Sequence, residues 1–191
     1  MTVATAETVT TYDLTITGTL TSSGNSTYNV SHDWANTGTF TSSTSTVNLT
    51  GADSSTQTLS GSTSFNNLSV STSSNAAGRT ITHTAGTTQT VTGTWTITGF
   101  TGKVITLGSS AASAWTINPT AASVDYAAIS YSTNSGSSIC ATHSTNDGNN
   151  TGWSITAGNS CNTAPDSPSS LAQKTTGDVT ITTGGWTNTT S

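Results

Sequence analysis

The stretch Val91-Thr-Gly-Thr-Trp-Thr-Ile-Thr98 sets large apolar residues on one parity and Thr on the other. Its pattern occurs twice upstream, as Leu14-Thr-Ile-Thr-Gly-Thr-Leu-Thr21 and Trp34-Ala-Asn-Thr-Gly-Thr-Phe-Thr41. A period of two residues marks a half-buried β-strand. Similar Gly-Thr centres recur at Gly18, Gly38 and Gly93, so the economical architecture is all-β, one coil of a β-solenoid repeated with variable insertions. A single coil cannot bury its inward side chains. Coils stacked in parallel, one strand spacing apart, pair their amides and set like residues in ladders.

Working outward, the alternation runs from residue 8 to residue 156. It groups Leu14, Ile16, Gly18 and Leu20 on one face, then Val30, Trp34, Gly38 and Phe40, and later Val91, Trp95 and Ile97, Trp115 with Ile117, and Trp153 with Ile155. Clusters such as Ser22-Ser-Gly-Asn25 and Gly51-Ala-Asp-Ser-Ser55 read as corners. A Gly inside a strand pattern marks a bend or a close backbone approach. No segment has a 3.6-residue apolar period, and no helix is expected.

Of the 191 residues only 6% are charged, and the net charge is −5. Leu, Ile, Val and Phe make up only about 15%, but without strong self-repulsion a patterned chain folds on a thin core. Thr suits a pleated surface because it is β-branched. Three basic residues, Arg79, Lys103 and Lys174, cannot neutralise a phosphate backbone, which argues against nucleic acid. No apolar run is long enough to cross a bilayer, and residues 1–7 lack the form of a secretory signal. Scarce Lys, two cysteines and abundant Asn, Ser and Thr nevertheless look extracellular. The chain is therefore expected to be a segment of a longer exported polypeptide, without membrane insertion of its own.

The run Asn48-Leu-Thr-Gly-Ala-Asp-Ser-Ser-Thr-Gln-Thr-Leu-Ser-Gly-Ser-Thr-Ser-Phe-Asn-Asn-Leu-Ser-Val70 resembles β-strand-repeat segments of very large bacterial surface proteins. So do Val124-Asp-Tyr-Ala-Ala-Ile-Ser-Tyr-Ser132 and Asn146-Asp-Gly-Asn-Asn-Thr-Gly-Trp153. The resemblance implies a right-handed parallel β-helix over residues 1–156 with a short C-terminal extension. The turn-rich stretch 157–168 reads as a linker. Ala164-Pro-Asp-Ser-Pro-Ser-Ser-Leu171 is similar to the opening of fibronectin-type or immunoglobulin-like modules, which makes 169–191 the first strands of such a module. The implied role is a structural or adhesive segment of a cell-surface protein. Surface glycans or other cell-surface proteins are its expected partners, and no catalytic residues are carried over.

Glycan-cleaving enzymes also use parallel β-helices. Hydrolysis needs two carboxylates across the scissile bond, and Asp13, Asp33, Asp53 and Asp125 are far apart in sequence, although stacking coils can bring some together. The expectation is no enzyme and no cofactor. His83 shares parity with Ile81, and His143 with Ile139 and Ala141, so both read as partly buried strand histidines; with His32 they show no metal-ligand spacing, and no metal is assigned. Asn146-Asp-Gly-Asn-Asn150 looks like a Ca²⁺ loop with one carboxylate, and reads better as a polar turn. Cys140 and Cys161 are expected to form a disulfide closing the C-terminal cap. Tyr126 and Tyr131 are the candidates for a sugar platform, the alternative being core stacking. Thr-x-Thr rows over residues 80–84 and 88–98 raise an ice-binding array, against the simpler account that Thr fills outward β positions.

Overall fold

The computed structural model describes residues 1–72 and 77–161, and the backbone of Val179–Thr182 and Gly185–Asn188. Met1–Cys161 and Asn162–Ser191 form separate units. In the second, Val179–Thr182 and Gly185–Asn188 make an antiparallel hairpin with Ile181 opposite Trp186. The rest of the expected module, and residues 162–168 of the expected linker, lie outside the described residues.

The first unit is a solenoid-like stack of parallel strands, and the described residues contain no helix. Each coil passes over three faces. Face 1 begins with Thr2–Val3, Thr19–Ser22 and Thr39–Thr41. It goes on with Thr63–Phe65, the first halves of Thr88–Thr98 and Trp115–Asp125, and Ser132–Asn134. Face 2 holds Thr8–Thr11, Thr27–Val30, Thr46–Leu49 and Asn67–Ser71, then the second halves of the two long strands, Ile139–Thr142 and Trp153–Ile155. Face 3 runs from Leu14–Ile16 through Trp34–Asn36, Thr56–Ser60, Arg79–His83, Ile105–Ser109 and Ala127–Ile129 to Thr145–Asn146.

Stacking places one inward residue over the next. On face 2, Val9 lies beside Tyr28, Tyr28 beside Val47, Val47 beside Leu68, Leu68 beside Trp95 and Trp95 beside Ala122. Trp34, Trp95 and Trp115 are fully buried. Phe40 meets Trp34 at 5.1 Å between ring centroids and Tyr28 at 5.5 Å, both edge to face, and Trp34 packs on Phe65. Such pairs add about 0.5–1.5 kcal/mol each beyond the area they bury, which is how so few apolar residues fill a continuous interior. The return to register varies in length: Thr27 pairs with Thr46, Leu68 with Trp95, Val124 with Ala141.

The repeated template proves to be a corner flanked by two strands. Leu14–Ile16 belongs to face 3 and Thr19–Ser22 to face 1, so Leu14, Ile16 and Leu20 all point inward but do not share a face. The backbone turns between them at Thr17 and Gly18. Only the third copy lies in one continuous strand, Thr88–Thr98, and that strand shifts register between Val91 and Thr94 as it rounds from face 1 to face 2. The glycines mark close approach where a coil lies beneath. A Cβ on Gly38 would stand 2.1 Å from the Gly18 carbonyl oxygen, and one on Gly93 2.5 Å from Asn67 Oδ1. Gly18, in the first coil, has nothing within 4 Å.

Outward positions carry Thr in short ladders. Thr88, Thr116, Thr133 and Thr151 succeed one another on face 1, and Thr56, Thr80 and Thr106 on face 3, where the column continues with Ala128. At the C-terminal end Cys140 and Cys161 form a disulfide with Cα atoms 5.5 Å apart. Cys161 lies against Ser154, the stacking neighbour of Cys140.

Candidate functional site

The chemistry-bearing side chains gather where the chain leaves face 2 for face 3. Tyr12 and Asp13 occupy this corner in the first coil, His32 and Asp33 in the second. The His32 N–H donates to the Tyr12 carbonyl at 2.8 Å, which sets the histidine over the tyrosine. The two rings stack with centroids 4.5 Å apart and planes 6° from parallel. Nδ1 of His32 lies 2.7 Å from Asp13 Oδ1, which also accepts the Asp33 N–H at 3.0 Å. Asp33 Oδ1 accepts the Thr58 N–H at 2.7 Å, while its Oδ2 stands 3.7 Å from His32 Nδ1.

The same arrangement returns near the other end of the stack. Tyr126 and His143, both with left-handed backbone (φ 53° and 46°), stack at 4.4 Å with planes 7° apart. Nδ1 of His143 lies 2.6 Å from Asp125 Oδ1 and Nε2 lies 2.5 Å from Asn159 Oδ1. His143 is thus a corner residue, not the strand residue its parity indicated, because the strand ends at Thr142 and the backbone turns there toward Thr145–Asn146 with His143 left-handed.

These contacts shift the ionisation of the groups at both corners. The hydrogen bond to Asp13 raises the His32 pKa, and that to Asp125 raises that of His143. Asp13 is held below the usual carboxylate range by the Asp33 N–H and by His32. Partial burial works against the Asp125 carboxylate, but hydrogen bonds from His143 and Thr142 still lower its pKa. His83 is opposite in character. It is buried on face 3, lies flat on Trp115 and has Nδ1 3.3 Å from the Gly108 carbonyl oxygen; burial lowers its pKa to about 3, so it is neutral.

The tyrosines proposed as a sugar platform are half-buried and sit on different corners. Tyr126 has one ring face covered by His143, and its hydroxyl lies 3.0 Å from Thr101 Oγ1. Tyr131, also left-handed, sits where face 3 passes to face 1 and donates its N–H to the Gly148 carbonyl. Tyr12 is 65% exposed, more than either. In the Asn146–Asn150 loop, Asn146 Oδ1 accepts from the Gly148 N–H and from Asn150 Nδ2, and Asn150 Oδ1 accepts the Ser132 N–H, the hydrogen bonding of a polar turn. Beside the first coil lies a groove of about 330 Å³ lined by Val9, Leu14, Ile16, Leu20 and Tyr28. Arg79 is buried, with its guanidinium on the Ser71 carbonyl and Gln57 Oε1.

Sequence reasoning did not bring Asp13 to His32 and Asp33, or Asp125 to His143. The signal was present: the offset that carries Gly18 to Gly38 also carries Tyr12 to His32 and Asp13 to Asp33. No protein family, curated protein or solved structure matches the chain.

Proposed function

We propose that this chain is a non-enzymatic segment of an exported cell-surface protein and acts as a rigid spacer that carries adhesive modules away from the cell. The observation that carries the reading is the uninterrupted parallel register of face 2, from Thr8–Thr11 to Trp153–Ile155. A stack in which each coil is hydrogen-bonded to the next and shares its interior has no hinge along its axis. Its coils turn right-handedly, as parallel crossovers do for L-residues. The disulfide suits an oxidising, extracellular setting. A surface nearly free of Lys and Arg, with Arg79 buried inside a strand, offers trypsin-like proteases few sites. The resemblance to β-strand-repeat surface proteins points the same way, with glycans or surface proteins as the targets of neighbouring modules.

The test is a distance distribution between spin labels carried on unnatural amino acids at Thr10 and Ser123. These residues lie in one outward column through Asn29, Asn48, Ser69 and Thr96. Five strand steps predict a narrow peak near about 24 Å between the backbone positions. A broad distribution would overturn the spacer. Binding on a glycan array that is lost in Tyr126→Ala or Tyr131→Ala would favour a carbohydrate-binding role instead.

A further inference from the structure

We propose that Asp13, His32 and Asp33 form a binding site for a first-row divalent transition ion, with Zn²⁺ as its probe, which clasps the first coil to the second. The three residues each offer one ligand atom within 4.8 Å of the others. Donors and acceptors at this corner do not match in number. Two carboxylates face a single imidazole nitrogen, at 2.7 Å and 3.7 Å, and one Nδ1–H satisfies only one of them. A divalent cation in place of that proton takes both.

Separations fit such an ion. Bonds of about 2.0–2.2 Å in a tetrahedral site put neighbouring ligand atoms about 3.3 Å apart, and the two observed nitrogen–oxygen distances lie on either side of that value. Moving each ligand by a few tenths of an ångström makes room. The donor set, one imidazole nitrogen and two carboxylate oxygens, suits Zn²⁺ and its neighbours better than Ca²⁺ or Mg²⁺, which favour oxygen alone.

Each ligand is also oriented by a partner outside the set or by backbone. Tyr12 lies flat on the His32 ring, the Thr58 N–H holds Asp33 Oδ1, and the Asp33 N–H holds Asp13 Oδ1. Outer contacts of this kind fix ligand orientation in metal sites. The side chains remain about half exposed, at 52%, 38% and 38%, so water can complete the coordination.

The second corner is an internal comparison. His143 likewise has a tyrosine, Tyr126, against its ring and a carboxylate, Asp125, on Nδ1, but its other nitrogen is taken by Asn159 and no second carboxylate joins it among the described residues. There the numbers match, one acceptor for each nitrogen. A metal is expected at the first corner and none at the second.

The experiment titrates ZnCl2 into the full chain after dialysis against EDTA, by calorimetry, with thermal unfolding in parallel. One ion per chain is expected, at micromolar dissociation, with a rise in the unfolding midpoint that EDTA reverses. His32→Gln and Asp33→Asn should each weaken binding about tenfold or more, and His143→Gln should leave it unchanged. Amide resonances of the wild-type chain should shift with Zn²⁺ at residues 12–13, 32–33 and 58. Absence of heat and of a midpoint rise, equal affinity in the His32 and Asp33 variants, or shifts centred on His143 would each overturn the proposal.

Discussion

The His83 imidazole lies flat on the Trp115 indole, ring centroids 3.5 Å apart and planes 3° from parallel, one coil over the next. Both side chains are buried. The folded chain protonates this ring only at about pH 3, against an ordinary value of 6.5. As pH falls below 6.5 the unfolded chain takes up the proton first, so stability declines by up to about 1.4 kcal/mol per pH unit until the folded ring also protonates. His83→Phe keeps a flat partner for Trp115 and cannot charge. Its urea midpoint should fall less steeply than that of wild type between about pH 6 and about pH 4; equal slopes would show that His83 does not govern the acid limb.

His143 titrates in the other direction. Its raised folded pKa contributes stability that is fully present below the unfolded value of 6.5 and is lost as pH rises through the folded value. Asp125→Asn removes the cause. An NMR titration should then find the His143 pKa closer to its ordinary value, and an unchanged titration would refute the pairing.

Gly18 and Gly38 stand at matching places in the repeat and predict opposite outcomes. Gly38→Ala drives a methyl group into the Gly18 carbonyl and should cost about 1–3 kcal/mol. Gly18→Ala meets open space and should be neutral or stabilising by up to about 1 kcal/mol. Denaturant melts of the two variants decide it.

Trp95 is set edge-on between Trp115 and Trp153, at 6.4 Å and 5.7 Å between centroids. Trp95→Ala removes the largest side chain of its column and should cost about 3–5 kcal/mol. Loss of less than about 1 kcal/mol in equilibrium unfolding would mean that the interior collapses around the gap.

Replacing Cys140 and Cys161 together with Ser opens a loop of sequence separation 21. The chain-entropy model gives a loss of about 3 kcal/mol. Amide exchange should accelerate first in Ile139–Thr142 and Trp153–Ile155, which the bridge clamps. Uniform acceleration along the stack would argue for one cooperative unit instead.

Much of the architecture was legible in the sequence because side-chain parity is local. Val30, Trp34, Phe40, Val91, Trp95, Ile97, Trp115 and Ile117 are read inward from two or three neighbours, and all are buried. Gly38 and Gly93 carried the close approach in their identity, and the two cysteines their bridge. What parity does not carry is where the backbone turns. Leu14–Thr21 reads as one strand because a residue on the inner side of a corner keeps the same alternation as one in the strand. Corner residues were misplaced for that reason, His143 among them. The Asp13–His32–Asp33 group stayed hidden because it depends on the exact return length of one coil, which varies along the chain.

Ladder register is kept whether the chain comes back by the short path from Thr27 to Thr46 or the long one from Leu68 to Trp95. The exposed corner segment 111–113, whose backbone makes no hydrogen bond to another coil among the described residues, is therefore free of the constraint that holds the strands. A foreign peptide spliced between Ala111 and Ser113 would hang from the side of the stack without breaking a hydrogen bond to the turns above or below it, and new recognition loops can be acquired at such a corner while the shaft stays the same.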